Sequence, residues 1–382
     1  MARYLEALSR YRAGAFSCVE AAEFLGLSER HFRRLRDCYE AEGAEGLIDK
    51  RRGKPSGRRA PADKIEWVLE EFRTRYFDFT AKHFHEELKK RGFDLSYTWT
   101  KTVLQQRGFI KVAPKRSAHR KKRPRRPLPG MMLFQDGSTH EWLAGQGSLD
   151  LIATLDDATS EVYSLFLVEQ EGTASTFQGL AETIARRGLF SSFYTDRGSH
   201  YFWTPKAGEK VDKSQLTQVG RALAELGIEH IPSYSPEARG RMERLWDTLQ
   251  RRLPPLLRLH GVTTIEAANR WLAQTYLAEH NARFAVPAAE EGDAFVPFVG
   301  DLANILCAKH ERVVGNDNCV RFERLTLQIP QQRHRRHFVR ATIQVRQYPA
   351  GELAIFHGPR RLADYRADGT LISKETTTQS AA

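Results

Sequence analysis

Phe134-Gln-Asp-Gly-Ser138 and Tyr194-Thr-Asp-Arg-Gly-Ser-His200 each end an apolar run on an aspartate, with a glycine one or two residues further on. Working outward from them, strand-like runs cover 131–136, 149–155, 161–168, 190–195 and 228–232, and helical periodicity covers 173–187, 215–226 and 239–252. Three consecutive strands, then a helix, then alternating strand and helix predict an α/β domain whose mixed sheet is covered by helices. Asp136 and Asp196 then sit at strand ends, where ligands of open α/β sheets collect, and Gly198 lets the backbone turn sharply just past the second carboxylate.

A third acid stands out in Ser235-Pro-Glu-Ala-Arg-Gly-Arg-Met-Glu-Arg-Leu-Trp-Asp247. At about 100° per residue Met242, Leu245, Trp246, Leu249 and Leu253 share one apolar stripe, and Glu243 falls at its border, able to lean over a sheet rim while the helix stays packed. Glu237, beside Pro236, and Asp247, one turn on, are its rivals. Carboxylates suit a hard cation such as Mg²⁺, which takes few protein oxygens and completes its shell with water and phosphate. Two such ions can activate the attacking oxygen and stabilise the leaving one at phosphorus. Asp156-Asp157, in Thr154-Leu-Asp-Asp-Ala-Thr159, occupies the turn between two strands and reads as structural.

Before this domain the chain reads as short helices up to about residue 110. Ala22, Gly26 and Ser28 carry the spacing of a helix-turn-helix: a small residue for close packing, a permissive turn, and an N-cap for a second helix burying Phe32, Leu35 and Tyr39. Its other face shows Arg30, His31, Arg33 and Arg34, suited to a major groove. After a basic linker at 50–59, Ile65, Val68, Leu69, Phe72 and Tyr76 recur at helical spacing, a helix follows near 82–91, and Ser96 caps a third running to Arg107. This is either a second helix-turn-helix, winged or not, presenting Tyr97, Thr98, Thr100 and Lys101, or a three-helix spacer. From Lys111 to Arg126 there are nine Lys/Arg and no acid. Pro114 and Pro124 break any helix there, so the segment is expected to run extended along phosphates.

The whole chain of 382 residues carries a formal charge of +12, which favours a polyanionic partner. Cysteines 18, 38, 307 and 319 form no metal or redox spacing and fit a reducing compartment. No window approaches the roughly 18 apolar residues of a membrane span, and the first residues lack the apolar run of a signal peptide. From about 311 onward, strand-like stretches at 320–329, 338–348 and 353–357 suggest a small β-barrel whose loop Arg333-His-Arg-Arg-His337 either meets DNA or is a solvated turn. The tail beyond Thr370 reads as disordered.

From about residue 15 to 290 the chain resembles insertion-sequence transposases with a retroviral-integrase-type catalytic core, within them the ISNCY grouping. The resemblance is carried by Gln135-Asp136, Leu155-Asp-Asp-Ala-Thr159 followed by Val162–Val168, Thr195-Asp-Arg-Gly-Ser199, and Ser235-Pro-Glu-Ala-Arg-Gly-Arg-Met-Glu243-Arg. It implies a ribonuclease-H-like fold and an Asp-Asp-Glu triad, here Asp136, Asp196 and Glu243, holding two Mg²⁺ or Mn²⁺ ions. The expected organisation is therefore multidomain. Helix-turn-helix domains at 1–50 and 60–110 and a basic linker at 111–129 precede a ribonuclease-H-like core at 130–290 and a small β-rich domain at 311–368.

Two departures stand beside the match. Forty-six residues separate Asp196 from Glu243, more than the family's usual spacing, with the excess in a polar loop near 202–214; a longer surface loop costs little entropy. His280-Asn-Ala-Arg283 only loosely echoes the family's tyrosine-asparagine-arginine-proline segment. The implied activity is recognition of terminal inverted repeats followed by cleavage and strand transfer without a covalent protein intermediate. Arg197, Arg239 and Arg244 lie near enough in sequence to the triad to hold phosphates. The expected partners are duplex DNA at element ends and target, and further copies of the chain; the expected location is the cytoplasm of bacteria, on the nucleoid. The competing readings are a helix-turn-helix regulator with an inactive core and a ribonuclease-H-like nuclease for RNA–DNA hybrids.

Overall fold

The computed structural model describes residues 1–49, 60–112, 123–205, 210–212, 214–234, 240–332 and 334–372. The chain divides into two compact units, Met1–Leu69 and Glu70–Ala382. In the first, α1 (Ala2–Arg12), α2 (Cys18–Leu25) and α3 (Glu29–Glu42) are followed by a 3-10 turn at Gly43–Leu47. Ser17 begins α2 with a reciprocal capping box to Glu20, and Gly26 ends it in the left-handed region at φ 70°. The Ser28 hydroxyl then accepts from the His31 N–H to open α3. Tyr4, Leu8, Ala21, Ala22 and Phe32 close the core, with Leu35 and Tyr39 half-buried against it. This is the helix-turn-helix that the Ala22, Gly26 and Ser28 spacing predicts.

Helix α4 (Ala62–Thr74) spans the division; α5 (Ala81–Lys90) and α6 (Tyr97–Gln106) follow, capped by the hydroxyls of Thr80 and Ser96. Phe72, Tyr76, Phe79, Phe84 and Leu88 are buried among them. Residues 107–112 make a turn, and the position where a wing would begin lies outside the described residues.

The central sheet has the order β3-β2-β1-β4-β5: β1 (Leu133–His140), β2 (Leu149–Asp156) and β3 (Val162–Val168) are antiparallel, and β4 (Ser192–Thr195) and β5 (Glu229–Pro232) run parallel to β1. With α7 (Thr173–Arg187) and α8 (Gln218–Glu225) on the sheet, this is the ribonuclease-H-like arrangement expected from the sequence. The core gathers Leu133, Phe177, Leu180, Phe193, Val219 and Leu223. Next come α9 (Gly240–Leu259), α10 (Ile265–Trp271), a π-helical turn at Leu272–Tyr276, and α11 (Leu277–Phe284).

Helix α9 outruns its expected end near 252 and continues through Pro254 and Pro255. Burial of Leu253, Pro255, Leu256 and Leu257 outweighs the backbone hydrogen bonds that the prolines delete. Edge strand β3 is covered in a specific way. Asn269 from α10 bonds both backbone groups of Leu167 (2.7 and 2.9 Å), and Asn281 from α11 bonds both of Val162 (2.9 and 2.8 Å). The 280–283 segment thus serves the sheet edge, which satisfies outward backbone groups that would otherwise seek a partner.

The second unit also joins α5 to α9 and α11. Glu86 is ion-paired with Arg252 (2.7 Å) and Arg283, Asp78 with Arg258 (2.6 Å), and Lys90 with Glu279 (3.5 Å). Beneath them His83 stacks on Phe79 at 4.2 Å, and neither of its ring nitrogens has a hydrogen-bond partner. Burial, reinforced by Arg252, Lys90 and Arg283, pushes His83 down to about 3, although Glu87 stands 4.0 Å away; burial and Arg252 push His280 down to about 4. Both rings are therefore neutral when folded and protonate in the unfolded chain near pH 6.5. Their stabilising contribution is complete above pH 6.5 and declines as pH falls toward 4, at up to about 1.4 kcal/mol per pH unit for each ring. Urea melts between pH 7 and 4.5 should show that loss, and His83→Phe should remove the His83 share of it, leaving the share of His280.

The last part forms one sheet of order β11-β10-β9-β6 and a two-stranded β7-β8 hairpin around a shared core that includes Val320, Phe322, Phe338, Val345 and Ile355. The strands are β6 (Ala308–Val313), β7 (Cys319–Phe322), β8 (Leu325–Gln328), β9 (Thr342–Gln347), β10 (Leu353–His357) and β11 (Arg360–Tyr365). The stretch 320–329 folds back on itself because Glu323 takes a left-handed conformation, φ 53°. Gln218 and Arg221 of α8 bond the backbone at 305–309, seating this β-rich part on the α/β core. All four cysteines are thiols.

Candidate active site

Asp136 lies within β1, four residues before its end, and Asp196 immediately follows β4. The parallel register pairs Phe134 with Tyr194, each two residues before one of the aspartates. Gly198 N–H donates to Asp196 Oδ1 at 2.8 Å, the turn that the glycine predicts. Asp136 Oδ2 accepts from the indole Nε1 of Trp246 at 3.0 Å.

That indole belongs to α9, and one turn later Gln250 donates to Ser138 at 3.0 Å. Two contacts at i and i+4 on the helix meet i and i+2 on the strand, which fixes the rotation of α9 over β1. Glu243 and Gln250 are seven residues apart, nearly in line along the helix. Glu243 is therefore on the face turned toward β1, exposed near the helix start. Met242, Leu245, Trp246, Leu249 and Leu253 are buried as the stripe predicts. The rival Asp247 is exposed and paired with Arg251 at 2.6 Å, while Glu237 lies outside the described residues.

Among the described residues no three acidic, histidine or cysteine side chains lie close enough together to hold a metal ion. The structure places Asp136 on β1 and Asp196 just after the adjacent parallel strand β4, and it ties the Glu243 helix to Asp136 through Trp246, without closing the three carboxylates on one point.

Sequence reasoning passed over two neighbours. Glu171, between β3 and α7, lays its carboxylate over Gly137: a Cβ there would stand 2.5 Å from Glu171 Oε2, so a larger residue beside Asp136 would displace that carboxylate. The hydroxyl of fully buried Tyr201 donates to Glu171 Oε1 (3.2 Å) and Gln135 Oε1 (3.3 Å), and His200 Nε2 is 3.6 Å from Glu171. Burial first, then Glu171, Asp136 and Asp196, raise Tyr201 well above its ordinary range. Tyr201 thus stands against Glu171 with Asp136 and Asp196 in its electrostatic surroundings. The sequence signal for Glu171 was the glycine directly after Asp136.

Of the expected DNA contacts, Arg30, Arg33 and Arg34 are exposed on α3, His31 is half-buried, and Arg33 is paired with Glu29. Thr98 is exposed, Tyr97 and Lys101 are half-buried, and Tyr97 carries Lys82 over its ring at 5.0 Å. Thr100 is fully buried, bonded to His85 at 3.0 Å, and belongs to the packing of α5 and α6. Arg197 is exposed over the Tyr234 ring and Arg244 is exposed on α9, whereas Arg239 and most of the basic 111–126 segment lie outside the described residues.

Residues 5–56 match the family described as a helix-turn-helix domain. Over 356 residues, 92% of this chain and 77% of the other, the sequence is 31% identical to a Sinorhizobium fredii protein named as transposase y4bF. It is 25% identical over 363 residues, 85% of this chain and 76% of the other, to the transposase for insertion sequence IS1202 of Streptococcus pneumoniae. Among solved structures it is similar to a simian T-cell lymphotropic virus intasome in complex with a PP2A regulatory subunit (16% identity, TM-score 0.33, 68% of this chain and 84% of that one). A second is the HTLV-2 integrase catalytic core domain in complex with magnesium (17% identity, TM-score 0.29, 39% and 88%).

Proposed function

The chain belongs to the transposases, and we propose that it is an insertion-sequence DDE enzyme with an integrase-type catalytic core that binds the terminal inverted repeats of its element and cleaves and rejoins DNA with Asp136, Asp196 and Glu243 as metal-binding carboxylates. The observation that supports the site assignment is the placement of Asp136 on β1 and of Asp196 just past the adjacent parallel strand β4, with Trp246 tying the Glu243 helix to Asp136. Bound there, two Mg²⁺ ions (or Mn²⁺) would supply the activation of an attacking oxygen and the stabilisation of a leaving one. The chain's own residues hold the site in shape. Gly198 orients Asp196, Trp246 fixes one oxygen of Asp136, and Glu171 and Tyr201 pack the floor behind them. Glu243, at the start of α9 on the face turned toward β1, would complete the donor set with the two aspartates. Arg197, Arg239 and Arg244 are placed to hold phosphates around that point.

The exposed arginines of α3 fit direct contact with end DNA, assisted by Tyr97, Thr98 and Lys101 of α6. Joining two element ends calls for a dimer or larger assembly on the DNA. Incubating the purified protein with its own flanking DNA tests the reading: ends are nicked with Mg²⁺ and untouched with EDTA, and unchanged ends in both would sink it. Nicking of RNA–DNA hybrid but not duplex ends would instead favour the nuclease reading. At α3, Arg34→Ala is expected to weaken end binding and lower the slope of log K against log salt by about one, read by fluorescence anisotropy from low to moderate salt.

A further inference from the structure

We propose that Asp157 is a positioning residue for Glu243: one buried carboxylate fastens the first turn of α9 and the end of the basic linker to the β2–β3 turn. The inference rests on the assignment of Glu243 to the metal-binding triad. Asp157 is 0% exposed. Its Oδ1 accepts from the guanidinium groups of both Arg123 and Arg241, and its Oδ2 accepts from the Arg126 N–H at 2.7 Å. Arg241 also donates to the Arg123 carbonyl at 3.1 Å, and Arg125 grips the carbonyls of Asp157 and Ala158 (2.9 and 3.2 Å) and the Ser160 hydroxyl (2.9 Å).

The two adjacent aspartates divide their work. Asp156 is the turn former, accepting from Thr159 N–H and hydroxyl (2.9 and 3.1 Å) and from Gly130 N–H (2.9 Å). The bonds described for the Asp157 carboxylate all leave the turn. A carboxylate needed only for the turn would not collect two guanidinium groups from segments more than thirty and eighty residues away in sequence.

Arg241 is the second residue of α9 and Glu243 the fourth, about 3 Å apart along the axis. Whatever holds Arg241 therefore sets where Glu243 stands. The hold is needed. A cation in the first helical turn opposes the helix dipole, and Arg123, Arg125 and Arg244 all repel Arg241, with Asp157 as its attractive partner. Because Arg123 shares the same oxygen, the described end of the basic segment and the Glu243 helix are joined at one point.

The test uses the full-length protein as wild type, Asp157→Asn, Arg241→Met, their double variant and Glu243→Gln. Three quantities are read: Mn²⁺ affinity on end DNA by calorimetry, Mg²⁺ half-saturation of end cleavage, and end-DNA affinity in EDTA. Partners that orient metal ligands typically contribute 10–100-fold in metal affinity. Asp157→Asn is therefore expected to weaken Mn²⁺ binding and raise the Mg²⁺ requirement by about tenfold or more, with end-DNA affinity in EDTA unchanged. Arg241→Met should produce the same shift without stranding a buried charge, which keeps the test open if Asp157→Asn fails to fold, and the double variant should be no worse than the more affected single one. Wild-type metal affinity and Mg²⁺ requirement in Arg241→Met, or additive losses in the double variant, would overturn the proposal. Wild-type metal binding and cleavage in Glu243→Gln would instead overturn the triad assignment, a separable failure.

Discussion

Asp196→Asn is expected to abolish Mg²⁺-dependent nicking of the element's ends while end binding persists. The substitution keeps the shape of the side chain and its capacity to accept from Gly198, so the strand-end turn survives. It removes the negative charge from one half of the Asp136–Asp196 pair. A metal ion at a phosphoryl centre stabilises the transition state by several kcal/mol, and losing about 4 kcal/mol of that lowers the rate by about a thousandfold. The check is a single-turnover cleavage assay with labelled end DNA beside a gel-shift measurement at the same salt. Cleavage within tenfold of wild type would remove Asp196 from the catalytic set; loss of binding in parallel would show that the helix-turn-helix alone does not account for DNA affinity.

Glu86→Ala is expected to give the largest loss of stability. The Glu86 side chain is only 11% exposed and faces Arg252 and Arg283, with Lys82 4.0 Å away. Removing one partner of a largely buried ion pair leaves the other uncompensated, which typically costs about 3–5 kcal/mol. For a unit of this size the melting temperature should fall by roughly 5–8 °C. Because Arg252 lies on the helix that carries Glu243, the variant should also loosen α5 from α9, visible as faster amide exchange in both helices. A melting temperature within about 2 °C of wild type would mean that neighbouring carboxylates hold the arginines without Glu86.

The parts of this molecule that were legible in its sequence are those governed by local chemistry. Apolar runs ending on Asp136 and Asp196, the stripe from Met242 to Leu253, and the Gly26 and Ser28 punctuation of the helix-turn-helix all follow from periodicity and turn preference. What escaped depended on residues meeting across long separations. Trp246 read as one more apolar residue of the stripe, yet its N–H is spent on Asp136. Thr100 looked like a leading-edge polar contact until His85 enclosed it. Glu171 carried no motif, and its place over Gly137 exists only once β1, the start of α7 and Tyr201 are assembled. Asp157 was read as a turn residue because its arginine partners lie in two distant segments.

The two asparagine side chains on β3 have a bearing on how copies of this protein can associate. Amide groups already occupy the main-chain positions at Val162 and Leu167 that an incoming strand would use for alignment. Continuous sheet extension between two catalytic domains along that border is thereby disfavoured. An interface formed along that border would have to be built from side-chain surfaces in place of main-chain pairing.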